Sequence, residues 1–229
     1  VITAKSSDPS DGCSDNQYLD YLADCALCLQ QRVRAQISTR MLRVIKYLGA
    51  DFGRNEYPFF ISSEGIKLNP LTAHQLRHKP LGKKYSTGNK RLDDLLDGGF
   101  RRVSCVLISG TSGSGKTTLA ASIVEAACAR GEKVLYIGFE ESQEAVRGTM
   151  KNAGIDLATP TKSGRLRYIS SLPESLGAED HLFQALLTID EFRPDHLVVD
   201  AISACERMGP GKVAFEYVMR LVHACKERG

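Results

Sequence analysis

With 229 residues, 42% hydrophobic and 25% charged, the chain has the composition of a soluble globular protein and enough apolar material for one large domain or one and a half. A net charge of +3 is too mild to indicate nucleic acid. No apolar run approaches the ~20 residues that cross a bilayer, and no charged-then-apolar leader follows Val1. A cytoplasmic protein with no membrane partner is expected, and the missing initiator Met reads as a piece of a longer chain.

In chain order, Val1–Thr3 reads as the end of a strand, and residues 5–17 as a polar loop. Tyr18–Leu29 is apolar without a clear period, its last part, Cys25–Leu29, reading as a buried strand. Cys25 and Cys28 form a C-x-x-C. Their apolar neighbours (Leu22, Ala23, Ala26, Leu27, Leu29) favour buried core over metal or redox chemistry, and the seven scattered cysteines fit reduced thiols. Gln30–Thr39 reads as a polar, basic turn. Met41–Tyr47 and Tyr57–Ile61 read as strands, the second followed by a hairpin into Ile66–Leu68.

Asn69–Lys84, with two prolines and no periodicity, is the linker candidate, dividing the chain into residues 1–80 and 81–229. His74 and His78 within it read as solvated surface rather than as a zinc pair. Arg91–Leu96 is a short amphipathic helix stopped by Gly98-Gly99. Val103–Ser109 reads as a buried strand, and Leu119–Cys128 as a helix ending at Gly131. Strands at Lys133–Phe139, Leu166–Ile169 and His196–Asp200 then alternate with helices at Ser142–Ala153, Ala178–Glu191 and Ala214–Glu227. That alternation predicts an α/β fold with a mainly parallel sheet, helices lying on its faces.

Between the strand at Val103 and the helix at Leu119 lies Gly110-Thr111-Ser112-Gly113-Ser114-Gly115-Lys116-Thr117, a complete G-x-x-x-x-G-K-[ST] phosphate loop. Gly113 and Gly115 permit a close backbone approach to phosphate oxygens. Lys116 is expected on the β/γ-phosphates and the Thr117 hydroxyl on Mg²⁺. The nucleotide-binding set runs from Gly110 through Thr118. Glu140 and Glu141 follow the second strand, and Asp200 ends an apolar strand in the Walker B manner. Ligands of such sheets gather at the C-terminal strand ends. ATP is therefore expected with Mg²⁺ on Thr117 and Asp200, and at least one of Glu140 and Glu141 polarising the attacking water or hydroxyl.

The run from Ser86 resembles the KaiC family of circadian-clock ATPases, a branch of the RecA-like P-loop proteins. The likeness lies in Ser86–Phe100, the phosphate loop, Phe139-Glu140-Glu141-Ser142, Leu172–Leu182 and His196–Ala204. Residues 1–80 resemble the back half of such a domain, through Lys46-Tyr47-Leu48-Gly49 and Glu56-Tyr57-Pro58-Phe59. The resemblance implies a RecA-like α/β/α fold, the end of one ATPase domain followed by the start of the next. The two parts either close as a permuted domain or are completed by other chain segments. It further implies a hexameric ring, clock-type protein partners, and Lys46 acting on a neighbour's γ-phosphate, although Leu48 stands where the family has arginine. The family's second domain autophosphorylates on an adjacent Ser-Thr pair, but Asp20-Tyr21 occupies the comparable place. Two other readings stand beside the ring ATPase with autokinase activity. One is a RecA/RadA-type recombination ATPase, for which Met208–Lys212 is a short DNA loop; the other is a non-hydrolysing nucleotide sensor.

Overall fold

A computed structural model of the chain describes residues 1–4, 22–34, 37–62, 65–68, 78–209 and 212–229. It divides into two units, Val1–Gln75 and Leu76–Gly229.

The first unit is an antiparallel sheet in the order β1 (Cys25–Arg34), β2 (Ile37–Tyr47), β3 (Glu56–Ser62) and β4 (Gly65–Leu68). Three of its features depart from the sequence reading. Residues 1–4 carry no strand. Most of the stretch expected as a basic turn at Gln30–Thr39 is ladder instead, paired out to Arg34↔Ile37. A ribbon open to water tolerates such residues, and Arg32 finds a bidentate partner across the sheet, reaching the two Glu56 carboxylate oxygens at 2.6 and 2.8 Å. The C-x-x-C is not a uniformly buried, reduced pair either. Strand alternation leaves Cys25 an exposed free thiol, whereas Cys28 is buried and disulfide-bonded. The same alternation exposes Leu27, Leu29 and Val33 along β1.

The second unit opens with a two-stranded ribbon, β5 (Lys84–Tyr85) with β6 (Phe100–Arg101), enclosing helix α1 (Lys90–Leu95). Asn89 caps α1, accepting from the Leu92 N–H at 3.2 Å. The buried Thr87 donates both its N–H and its hydroxyl to Asp93 Oδ1 at 2.7 Å, tying the segment before the helix to its first turn. Next come α2 (Lys116–Ala129), β7 (Val134–Gly138), α3 (Gln143–Asn152), α4 (Ala158–Lys162), β8 (Leu166–Ser170), α5 (Ala178–Phe192), β9 (His196–Asp200) and α6 (Val213–Arg228). The strands form a parallel sheet in the order β8-β7-β9. Short 3-10 segments lie at Pro173–Ser175 and Ile202–Met208.

Period-two alternation sends the β7 side chains to opposite faces. Leu135 and Ile137 pack with α5, α6 and the Ile202–Met208 segment. Val134 and Tyr136 pack with Ala121, Val124 and Ala127 of α2 and with Val146 and Met150 of α3. Helices on both faces make the three-layer α/β/α arrangement of the RecA-like P-loop fold, as expected. The expected buried strand Val103–Ser109 joins no ladder and is largely exposed, and among the described residues β9 pairs only with β7. An apolar, β-branched run becomes a strand only where another strand takes its hydrogen bonds.

Two glycines, one after α2 and one before β6, are required for different reasons. After α2, the Gly131 N–H reaches Cys128 O and the Glu132 N–H reaches Ala127 O, a Schellman closure with Gly131 at φ +90°. Gly99, at φ +100°, lies where a Cβ would come within 2.0 Å of Tyr85 O. Gly131→Ala therefore meets backbone strain alone and is expected to destabilise by about 1 kcal/mol. Gly99→Ala meets strain and a backbone clash, and should lose clearly more in a urea-unfolding comparison of the two variants.

Candidate functional site

Glycine at two positions gives the phosphate loop its shape. Gly113 and Gly115 take φ of +77° and +88°, and a Cβ at either would meet nothing within 4 Å, so the requirement is conformational rather than steric. The loop closes through the Ser114 N–H to Thr111 O at 3.2 Å, and α2 begins with the Leu119 N–H to Gly115 O at 2.8 Å. Thr117 and Thr118 thus fall in the first turn of a fourteen-residue helix, the end that favours anions. Lys116 folds back over the loop, its Nζ donating to Gly110 O at 2.9 Å and to Thr111 O at 2.8 Å.

The strand ends supply the acids. Glu140 and Glu141 are exposed just beyond β7, and Ser142 caps α3 behind them by accepting from the Ala145 N–H at 3.2 Å. Gly138 and Asp200 are register partners on β7 and β9. Thr117, Glu140, Glu141 and Asp200 line one small cavity, together with Tyr136 and Gly138. Four of the expected site residues, from three separate segments, therefore converge. Lys46 belongs to the first unit, on β2 opposite Ala26.

Sequence reasoning passed over Tyr136. Its ring is buried against Tyr168, with centroids 4.9 Å apart, and its hydroxyl donates to Asp200 Oδ2 at 2.6 Å. Burial first, and the neighbouring Asp200 carboxylate second, push the phenol well above its ordinary pKa, so it stays a donor. A tyrosine two residues before the end of one apolar strand, with an aspartate ending another, is the only sequence signal, and it does not pair the two. The sequence also hid a charged cluster at the opposite end of the strands. There Glu132 accepts from Arg130 at 2.9 Å, faces His196 Nε2 at 2.9 Å, and is also bound by Arg102.

Hydroxyl and carboxylate oxygens are the donors that Mg²⁺ prefers, so the set fits that ion. Among the described residues, no group of three or more His, Cys, Asp or Glu side chains is arranged to hold a metal by itself. His78, expected as solvated surface, is exposed but bonded to His223 at 2.8 Å, and His74 lies outside the described residues. No described helix is long and apolar enough to cross a membrane.

A phosphate loop opening a helix, laid over a parallel sheet whose strand ends carry acids, defines a P-loop protein of the RecA-like class. The model of the KaiC ATPase family matches residues 85–229, and the chain belongs to that family. Circadian clock protein KaiC2 of Synechocystis sp. is 35% identical over 210 residues, covering 91% of this chain and 37% of the relative. KaiC3 of the same organism is 31% identical, covering 91% and 42%. The circadian clock oscillator protein KaiC of Picosynechococcus sp. is 32% identical over 188 residues, covering 82% and 36%. The chain thus spans well under half the length of these relatives.

One buried histidine braces the glutamate turn. His181 on α5 is 4% exposed, sits edge-on to Phe139 at 5.5 Å, and has Nε2 3.1 Å from Pro173 O, which makes Nε2 the protonated nitrogen. Burial lowers its pKa from 6.5, the Pro173 carbonyl and Asp180 offsetting this only in part. His196 is lowered as well, again first by burial. A lowered histidine favours the fold fully above the unfolded value of about 6.5, and that contribution is lost as pH falls, because the unfolded chain then binds a proton that the fold resists. The thermal midpoint is expected to drop between about pH 7.5 and pH 5.5. The drop should be smaller in His181→Gln, each protein being referred to its own midpoint at the higher pH.

Proposed function

We propose that the second unit binds Mg·ATP and hydrolyses it, and that the activity belongs to an oligomeric signalling or timing ATPase. The observation that carries this reading is the cavity shared by Thr117 of the phosphate loop with Glu140, Glu141 and Asp200. Membership of the KaiC family supports it, and the relatives named above are described as circadian clock proteins.

Each residue has a defined part. The loop N–H groups from Gly110 to Gly115 receive phosphate oxygens, and Lys116 exchanges its two carbonyl partners for the β/γ-phosphates. Thr117 and Asp200 hold Mg²⁺, which when bound neutralises charge on the phosphates. Glu140 or Glu141 accepts the proton of the attacking water. Further positive charge at the γ-phosphate comes, in this reading, from Lys46 of a neighbouring copy in a ring. Residues 1–80 are then the back of one KaiC-like ATPase domain and 81–229 the front of the next.

The test is ATP turnover by the intact chain, with γ-labelled ATP to separate release of phosphate from its transfer to the protein itself. Glu140→Gln combined with Glu141→Gln is expected to lower turnover by about 10²–10⁴-fold while ATP still binds. Lys116→Ala should weaken ATP binding itself. Binding with turnover unchanged by the paired glutamine variant would leave a nucleotide sensor instead.

A further inference from the structure

Resting on that Mg·ATP reading, we infer that Tyr136 is a positioning residue for Asp200, holding one carboxylate oxygen so that the other is the one offered to the cation. The argument begins with register. Tyr136 pairs with Val198 and Gly138 with Asp200, so Tyr136 and Asp200 are diagonal neighbours on one face of the sheet. It is the face covered by α2, the helix that carries Thr117. The position directly opposite Asp200 bears no side chain. A Cβ on Gly138 would meet Glu141 O at 3.2 Å and the Tyr136 ring at 3.9 Å. Across that gap the Tyr136 hydroxyl reaches Asp200 Oδ2 at 2.6 Å.

The tyrosine has little freedom to do otherwise. Its residue is 1% exposed, and its ring lies on that of Tyr168, its register partner on β8. A carboxylate at a strand end can rotate about its last torsion and present either oxygen. A fixed donor on Oδ2 removes that choice and leaves Oδ1 as the open acceptor. Groups that bond to a metal ligand from behind orient it in this way, and their loss commonly weakens metal binding 10–100-fold.

Calorimetric titration of the intact chain with ATP, at stepped Mg²⁺ concentrations, tests this. Tyr136→Phe is expected to bind Mg-free ATP as the parent does, yet to need about tenfold more Mg²⁺ for the same gain in affinity. Tyr168→Phe, which removes a hydroxyl that has no hydrogen-bond partner among the described residues, should keep the parent's Mg²⁺ dependence. If the parent gains nothing from Mg²⁺, the Mg·ATP reading itself fails. If the parent gains and Tyr136→Phe follows the same Mg²⁺ curve, or a tighter one, the positioning role is overturned. A measurement that needs no variant uses tyrosine labelled with ¹³C at Cζ. One resonance should shift when Mg²⁺ is added to the ATP-bound chain, and a spectrum in which none moves also overturns the role.

Discussion

Val134, Leu135, Tyr136, Ile137 and Gly138 are all buried, since β7 has a parallel neighbour on each side and helices on both faces. That constraint determines where the chemistry can stand. Burying an aromatic ring contributes about 4–6 kcal/mol, against about 1.5–3 kcal/mol for a hydrogen bond to a charged acceptor. The Tyr136 ring is therefore placed by the core, and its hydroxyl meets Asp200 as a consequence. The glutamates gain their position in the same way. They follow the last buried residue, Phe139, whose N–H is tied to Asp200 O at 2.9 Å and whose ring rests on His181.

Most of the residues that line the small cavity are legible in the sequence as candidates, because their segments obey local rules. A glycine loop has a fixed spacing, an N-cap serine announces a helix, and an apolar run ending in aspartate announces a strand that leads somewhere. Ser142 and Gly131 do what their positions suggested. The relations between segments were not legible. Whether Val103–Ser109 becomes a ladder depends on a neighbour that its own residues do not encode. The cross-strand reach of Arg32 to Glu56, which lets basic residues sit in a sheet, depends on pairing between distant strands. Tyr136 lies within a segment that reads simply as a strand, and only the register of β7 against β9 sets it beside Asp200.

The two units illustrate two ways a sheet meets solvent. In the second, β7 is enclosed and its residues run apolar without alternation, as parallel strands do. In the first, the antiparallel ladder alternates, so the polar and basic residues of β1 and β2 read in sequence as a turn although they mark a surface. The exposed Leu27, Leu29 and Val33 show that the alternation is not a simple division into apolar inside and polar outside. The C-x-x-C obeys the same geometry: two cysteines three apart in a strand point to opposite sides, which disfavours joint chemistry whatever their spacing suggests.

The packed pair of phenols beside Asp200 also bears on how the protein absorbs and emits light. The chain has eight tyrosines and no tryptophan, so its near-ultraviolet emission comes from phenol rings alone. A phenol that donates to a carboxylate can pass its proton on excitation and is quenched by doing so. A cation held by that carboxylate, as proposed for Mg²⁺, would alter the quenching. One of the eight phenols then responds to the state of the acid, and its share of the emission can be read without attaching a dye.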